Sequence, residues 1–202
     1  MNEERVTFLS GSLCLEGYYA PAASGRGVVV AHPHPLMGGS LDNPVVETIV
    51  TAFSRHGYAS LRFNFRGVGR SEGRYDDGRG EQEDLRAAVD FLADQGVGEI
   101  LPAGYSFGAW VIVQLLGREP SGGGAVLVSP PIDKMDFDFS GLDGRIGLIV
   151  TGDRDPYCDV RRLREMAGRI QAPVKCLAGT DHFYFGSEEA LSDALTEFLT
   201  VR

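Results

Sequence analysis

Cysteine is scarce in this chain. Cys14, Cys158 and Cys176 make an odd number with no C-x-x-C and no short regular spacing, which argues against a disulfide framework or a cysteine-based zinc site. They fit small, mostly buried thiols in a reducing compartment. Cationic charge is also short: 19 Lys and Arg against 28 Asp and Glu leave a net charge of -9, which argues against a nucleic-acid or anionic-membrane partner. No apolar stretch approaches the roughly 20 residues of a membrane span. The N-terminus M-N-E-E-R-V-T-F is acidic and lacks an apolar core, so no signal peptide is expected and the expected location is cytoplasmic. Proline contributes 10 residues, and the 27 glycines show no three-residue period, which excludes collagen and disordered low-complexity readings. What is present, 202 residues that are 43% hydrophobic, suffices for a core and predicts a single domain over 1–202. It is short for a TIM barrel of about 250 residues.

Two apolar–polar runs, Arg5–Leu9 and Leu13–Tyr19, flank Ser10-Gly11-Ser12 and predict a β-hairpin. The run Gly27–Ala31 is continuously apolar, as expected of a strand buried on both faces. Similar runs recur at Tyr58–Phe65, Glu99–Tyr105, Ala125–Ser129, Ile146–Thr151 and Val174–Ala178. Between them lie helical patterns. Asn43–His56 opens with an Asn N-cap and Pro44. Glu81–Gln95 puts Leu85, Ala88, Val89 and Leu92 on one face and stops at Gly96. Phe107–Gly117 is nearly all apolar, and Asp159–Ile170 and Ser187–Val201 complete the series. Strand alternating with helix after an antiparallel start predicts an α/β doubly wound, mostly parallel sheet. The acidic residues from Glu72 to Asp84 precede and open a helix, where the macrodipole favours negative charge.

The pattern G-x-S-x-G, a nucleophile elbow, occurs twice: Gly69-Arg70-Ser71-Glu72-Gly73 and Gly104-Tyr105-Ser106-Phe107-Gly108. In a glycine-rich chain the bare string is weak, and context must choose. An elbow is a strained strand–turn–helix. Ser106 follows E-I-L-P-A-G-Y and precedes F-G-A-W-V-I-V-Q-L-L, as that geometry requires. Ser71 has no helix-forming run after it and reads as a structural loop serine. A serine nucleophile needs a base, and the base needs an acid to orient it. Of His32, His34, His56 and His182, the last follows the final strand by a short loop, at the strand ends where active groups gather in such sheets. His56, before Gly57, reads as a helix terminator. The acid falls in Gly152-Asp153-Arg154-Asp155, where position alone leaves Asp153 and Asp155 open. Asp181 adjoins His182, points elsewhere, and reads as a turn residue.

The order Ser106, Asp, His182 resembles that of the α/β-hydrolase fold. Four blocks resemble the small lidless bacterial α/β-hydrolases related to dienelactone hydrolase. They are A-H-P-H-P-L-M-G-G-S-L-D-N, R-F-N-F-R-G-V-G-R-S-E-G, P-A-G-Y-S-F-G-A, and T-G-D-R-D-P-Y-C with D-H-F-Y-F-G. The resemblance implies a triad of Ser106, Asp155 and His182, the family's acid standing three residues after the glycine that ends the strand. It also implies an oxyanion hole from the backbone N–H groups of His34 and Phe107. Pro33 and Pro35 have no N–H to give, which leaves the amides of His34 and Leu36, and the resemblance selects His34; the His32 side chain is expected to brace the loop. Dienelactone hydrolases carry cysteine where this chain has Ser106, which points to ordinary esters.

The segment from Ser129 to Ile146 is too short for a multi-helix lid. Met135, Phe137 and Phe139, with Phe183, Tyr184 and Phe185, are expected either to wall an open acyl pocket or to form a half-buried edge. The implied reaction is hydrolysis of a small or short-chain ester, with thioesters and amides as variants, on a small-molecule substrate. No cofactor is expected: the stretch Asn64–Gly69 lacks G-x-G-x-x-G spacing, and no G-x-x-x-x-G-K-[ST] occurs. Two rivals are a metal bound at His32-x-His34, which would need further ligands, and a non-catalytic binding domain on the same fold. No metal is expected, and the sequence assigns no oligomeric state.

Overall fold

The computed structural model describes residues 3–118 and 124–202; Met1 and Asn2 of the N-terminal stretch read above lie outside them. The strands are β1 (Glu4–Ser10), β2 (Leu13–Ala20), β3 (Arg26–Ala31), β4 (Ala59–Phe63), β5 (Glu99–Tyr105), β6 (Ala125–Val128), β7 (Ile146–Gly152) and β8 (Val174–Leu177). The helices are α1 (Pro44–Arg55), α2 (Arg79–Asp94), α3 (Phe107–Arg118), α4 (Val160–Arg169) and α5 (Glu188–Thr200). All eight strands join one sheet in the order β1-β2-β4-β3-β5-β6-β7-β8. The hairpin pairs β1 with β2 antiparallel, β2 meets β4 antiparallel, and the remaining pairs are parallel. The expected doubly wound sheet with an antiparallel N-terminal hairpin is what the chain forms.

Two cores explain the unbroken apolar strands. Val29 and Ala31 of β3 face one core with Leu85, Ala88 and Leu92 of α2, the apolar face of α3, and Leu163 and Ala167 of α4. Val28 and Val30 face the other, against α1 and α5. Successive strand side chains point to opposite faces, so helices on both faces leave β3 no solvent-facing position beyond Arg26. The helix caps follow the sequence: Asn43 accepts from the Val45 amide and Asp159 from the Arg162 amide. The His56 imidazole bonds the Ala52 carbonyl at 2.9 Å where α1 stops.

Some expectations are corrected. Helix α2 begins at Arg79, and Glu81 lies inside it, accepting from the Asp76 and Gly78 amides. Asp84 does not act through the helix dipole alone: it is buried and takes a bidentate pair of bonds from Arg66 at 3.0 and 2.8 Å. Phe137 and Phe139 join the core instead of lining a pocket, and Tyr184 is buried with its hydroxyl on Ser129. Among the described residues, no helix is long and apolar enough to cross a membrane.

Candidate active site

Four strand ends converge on one cleft. The carboxyl end of β3 leads into His32–His34, that of β5 into Ser106, that of β7 into Asp155, and that of β8 into the loop holding His182. Ser106 occupies the turn between β5 and α3 at a φ of 55°, a left-handed conformation that side chains other than glycine adopt at a cost. Its amide is tied to the Val128 carbonyl of β6 at 2.9 Å. The flanking glycines are there because nothing larger fits. A Cβ on Gly104 would run into the Gly108 backbone, and one on Gly108 into the Ala31 carbonyl of β3. Ser71 is otherwise employed: its hydroxyl donates to the Asn64 carbonyl at 2.6 Å and accepts from the Glu16 amide, stitching a turn to the hairpin.

His182 Nδ1 stands 2.8 Å from Asp155 Oδ2 and its Nε2 stands 2.9 Å from Ser106 Oγ. A carboxylate only accepts, so Nδ1 carries the proton and Nε2 accepts from the serine hydroxyl. Asp155 is also held by the Tyr157 amide on its other oxygen, at 2.9 Å. Asp153 turns away to accept from the Gly179 amide at 2.7 Å, and Asp181 caps its own turn through the Phe183 and Tyr184 amides. The His182 loop is fixed from below: the Tyr105 hydroxyl donates to the His182 carbonyl at 2.8 Å. Burial, with Asp155 nearby, pushes the Tyr105 phenol well above its ordinary pKa, so that donor stays protonated. Tyr157 packs its ring edge-on to the imidazole, with centroids 4.7 Å apart.

The β3 loop is ordered by both of its histidines. His32 is fully buried and its Nε2 accepts from the Phe65 amide at 3.1 Å. The proton therefore sits on Nδ1, which donates to the Pro33 carbonyl at 2.6 Å. Burial pushes the His32 pKa down to about 4, keeping the ring neutral. Carbonyl and N–H of a trans peptide point in opposite directions, so fixing the Pro33 carbonyl also fixes the His34 N–H. Gly39 backs the same carbonyl, with no room for a Cβ. His34 accepts the Leu36 amide on Nδ1 at 3.2 Å and gives Nε2–H to the Tyr75 hydroxyl at 3.2 Å. Burial lowers its pKa as well. With both rings so engaged, His32-x-His34 has no free nitrogen for a metal ion. The His34 and Phe107 amides donate to no other described residue, and both residues line the cleft beside Ser106.

That cleft holds about 740 Å³, bounded further by Met37, Pro131, Met135 and Phe183. A single 3-10 turn, Pro35–Met37, which the sequence pattern did not indicate, forms one rim and leaves Leu36 and Met37 exposed. No helix intervenes between β6 and β7 to cover the opening. Solved structures share this arrangement of elements. An alpha-beta serine hydrolase homologue from Coxiella burnetii is 31% identical, with a TM-score of 0.86 over 98% of this chain and 97% of that one. The chain belongs to the α/β serine hydrolases. A member of the same class from Xanthomonas campestris, described as an a/b serine hydrolase without lid, is 27% identical, with a TM-score of 0.87 over 100% of this chain and 95% of that one. The hydrolase is also 37% identical over 199 residues to an uncharacterized protein of Rickettsia prowazekii (strain Madrid E), covering 92% of this chain and 84% of the relative. A family model described as serine aminopeptidase, S33, matches residues 43–139.

Proposed function

We propose that this hydrolase cleaves small or short-chain carboxylic esters, or thioesters, through an acyl intermediate on Ser106. The observation that carries the proposal is the unbroken chain Ser106–His182–Asp155, opening into an uncovered and largely apolar cleft. His182 takes the Ser106 proton as Oγ attacks the acyl carbon, then returns it to the leaving alcohol. A water molecule repeats the sequence in the opposite sense and frees the serine. Asp155 holds the imidazole in the tautomer that accepts from serine and stabilises the imidazolium. The oxyanion is assigned to the His34 and Phe107 amides, the latter at the positive end of α3. The three cysteines are free thiols, which supports placing the reaction in the cytoplasm.

The match to a serine aminopeptidase family favours amide hydrolysis on the same residues as the second reading. A chain-length series of p-nitrophenyl esters, run beside aminoacyl p-nitroanilides, separates the two. Ser106→Ala is expected to reduce ester turnover about 10³-fold or more, and a fluorophosphonate is expected to label Ser106 in a 1:1 adduct. Near-wild-type turnover by Ser106→Ala, or labelling elsewhere, would overturn the mechanism. Turnover of the anilides alone would select the amidase.

A further inference from the structure

The cleft carries a charge pattern unlike that of the molecule around it. The chain's net charge is -9, and a surface of that sign repels anions at long range. Yet among the described residues no Asp or Glu lines the cleft wall, Asp155 lying behind His182, and Lys134 is the only Lys or Arg that does. Lysine occurs at two positions, Lys134 and Lys175. Lys175 is committed to Glu197 at 2.5 Å. Lys134 has no carboxylate partner among the described residues, although acids flank it. Asp133 is taken by Arg162 at 2.9 Å and by the Asp159 amide at 2.7 Å, and Asp136 stands on the exposed side.

Instead, the Lys134 ammonium lies 5.7 Å from the centroid of the Tyr157 ring, the same ring whose edge meets His182. One aromatic side chain thus joins the unpaired cation to the base. Two stacked distances of that kind leave the ammonium within roughly 10 Å of the imidazole, a span that a short acyl chain or one aromatic ring covers. The segment that carries Lys134 is itself pinned: the Lys134 and Met135 amides both bond the Pro131 carbonyl at 3.0 Å. The Trp110 indole and the Gln114 amide donate to the Asp136 carbonyl. A flexible stem with a point charge, mounted on a fixed turn at the rim, is suited to meet a carboxylate, sulfonate or phosphate group carried by the substrate.

We propose that Lys134 is a specificity residue that selects esters bearing a negative charge remote from the scissile bond. This rests on the ester-hydrolase reading above. The test uses two matched pairs of substrates. Mono-p-nitrophenyl adipate against p-nitrophenyl hexanoate puts the carboxylate on the acyl side. Para-butyryloxybenzoate against para-butyryloxybenzamide puts it on the alcohol side. The readout is the ratio of kcat/KM for the anionic ester to that for its neutral partner, in wild type, Lys134→Met and Lys134→Glu.

In at least one pair the ratio should fall about threefold to fivefold in Lys134→Met, the range expected of a solvent-exposed charge pair. It should fall further in Lys134→Glu. The wild-type ratio should drop towards that of Lys134→Met as salt is raised from about 0.05 M to about 0.5 M. Ratios that stay put in both pairs and both variants, while the neutral esters are turned over, overturn the role of Lys134 and leave the ester-hydrolase reading standing. If no ester is turned over and Ser106 takes no fluorophosphonate, that reading falls, and the assignment of Lys134 falls with it.

Discussion

Asp153 and Asp155 sit two residues apart in one turn, and the difference between them is made chiefly by neighbours distant in sequence. Asp153 receives the Gly179 amide from the loop after β8; Asp155 receives His182 and the Tyr157 amide. Sequence position left both open because the partner that separates them, the loop after β8, arrives only when the sheet closes. Ser106 was more legible. Its elbow is a local object, since strand, small flanking residues and apolar helix all lie within a dozen residues of it. Asp155→Asn preserves the shape of the side chain and lets its amide donate to His182, favouring the tautomer that cannot accept from serine. The expected loss in kcat is about 10⁴-fold, with Asp153→Asn within about threefold of wild type. Steady-state kinetics on one p-nitrophenyl ester decides it. Equal losses would move the acid to the turn as a whole.

At the scale of elements, the sequence pattern located every strand and α-helix of the described residues, missed the 3-10 turn Pro35–Met37, and otherwise erred at ends. Helix α2 starts earlier than its apolar face suggested, because Glu81 satisfies amides of the preceding turn. The run Tyr58–Phe65 shortens to Ala59–Phe63 because Asn64 and Phe65 leave the sheet to serve the loops: Asn64 accepts the Leu41 amide and the Phe65 amide binds His32. The alternation in Met135, Phe137 and Phe139 was visible, but not which side it faced. Only Met135 reaches the cleft. The loop after β3 depends on one buried imidazole. His32→Ala removes the donor that fixes the Pro33 carbonyl and frees the adjacent His34 amide to rotate. The expected result is a kcat about tenfold to a hundredfold lower, with KM changed much less. A loss confined to KM would mean that the peptide orientation does not matter to the transition state.

Over the whole molecule, part of the acidic excess is gathered around two arginines. Arg62 gathers Glu3, Asp42 and Glu47 around one guanidinium, tying β4 to the chain's beginning and to α1. Arg66 does the same for Asp84 and Glu83. None of these pairings was legible, because each crosses long stretches of sequence and no local pattern encodes it. The buried neutral His32 gives the fold a pH dependence of definite sign. Its pKa falls from 6.5 when unfolded to about 4 when folded, so between those values the unfolded chain binds the extra proton. Its contribution is complete above pH 6.5 and is lost as pH drops towards about 4, by on the order of 3 kcal/mol at the limit. Urea midpoints measured across that window should decline, and the decline should be shallower in His32→Gln. Parallel declines would assign the effect to other groups.

The uncovered cleft has a further consequence for what leaves the enzyme. With no element between β6 and β7 to close over Ser106, an acyl group held there would face bulk solution, and the fold offers no means of reserving it for water. Any small alcohol in the medium should compete as acceptor, in proportion to its concentration. Turnover of p-nitrophenyl butyrate in methanol–water mixtures should then release methyl butyrate alongside butyric acid, in a ratio that rises linearly with methanol. A ratio pinned near zero would mean that water is held in place at the cleft. On this reading the enzyme is an acyl transferase by construction, and a hydrolase because water is the acceptor in greatest supply.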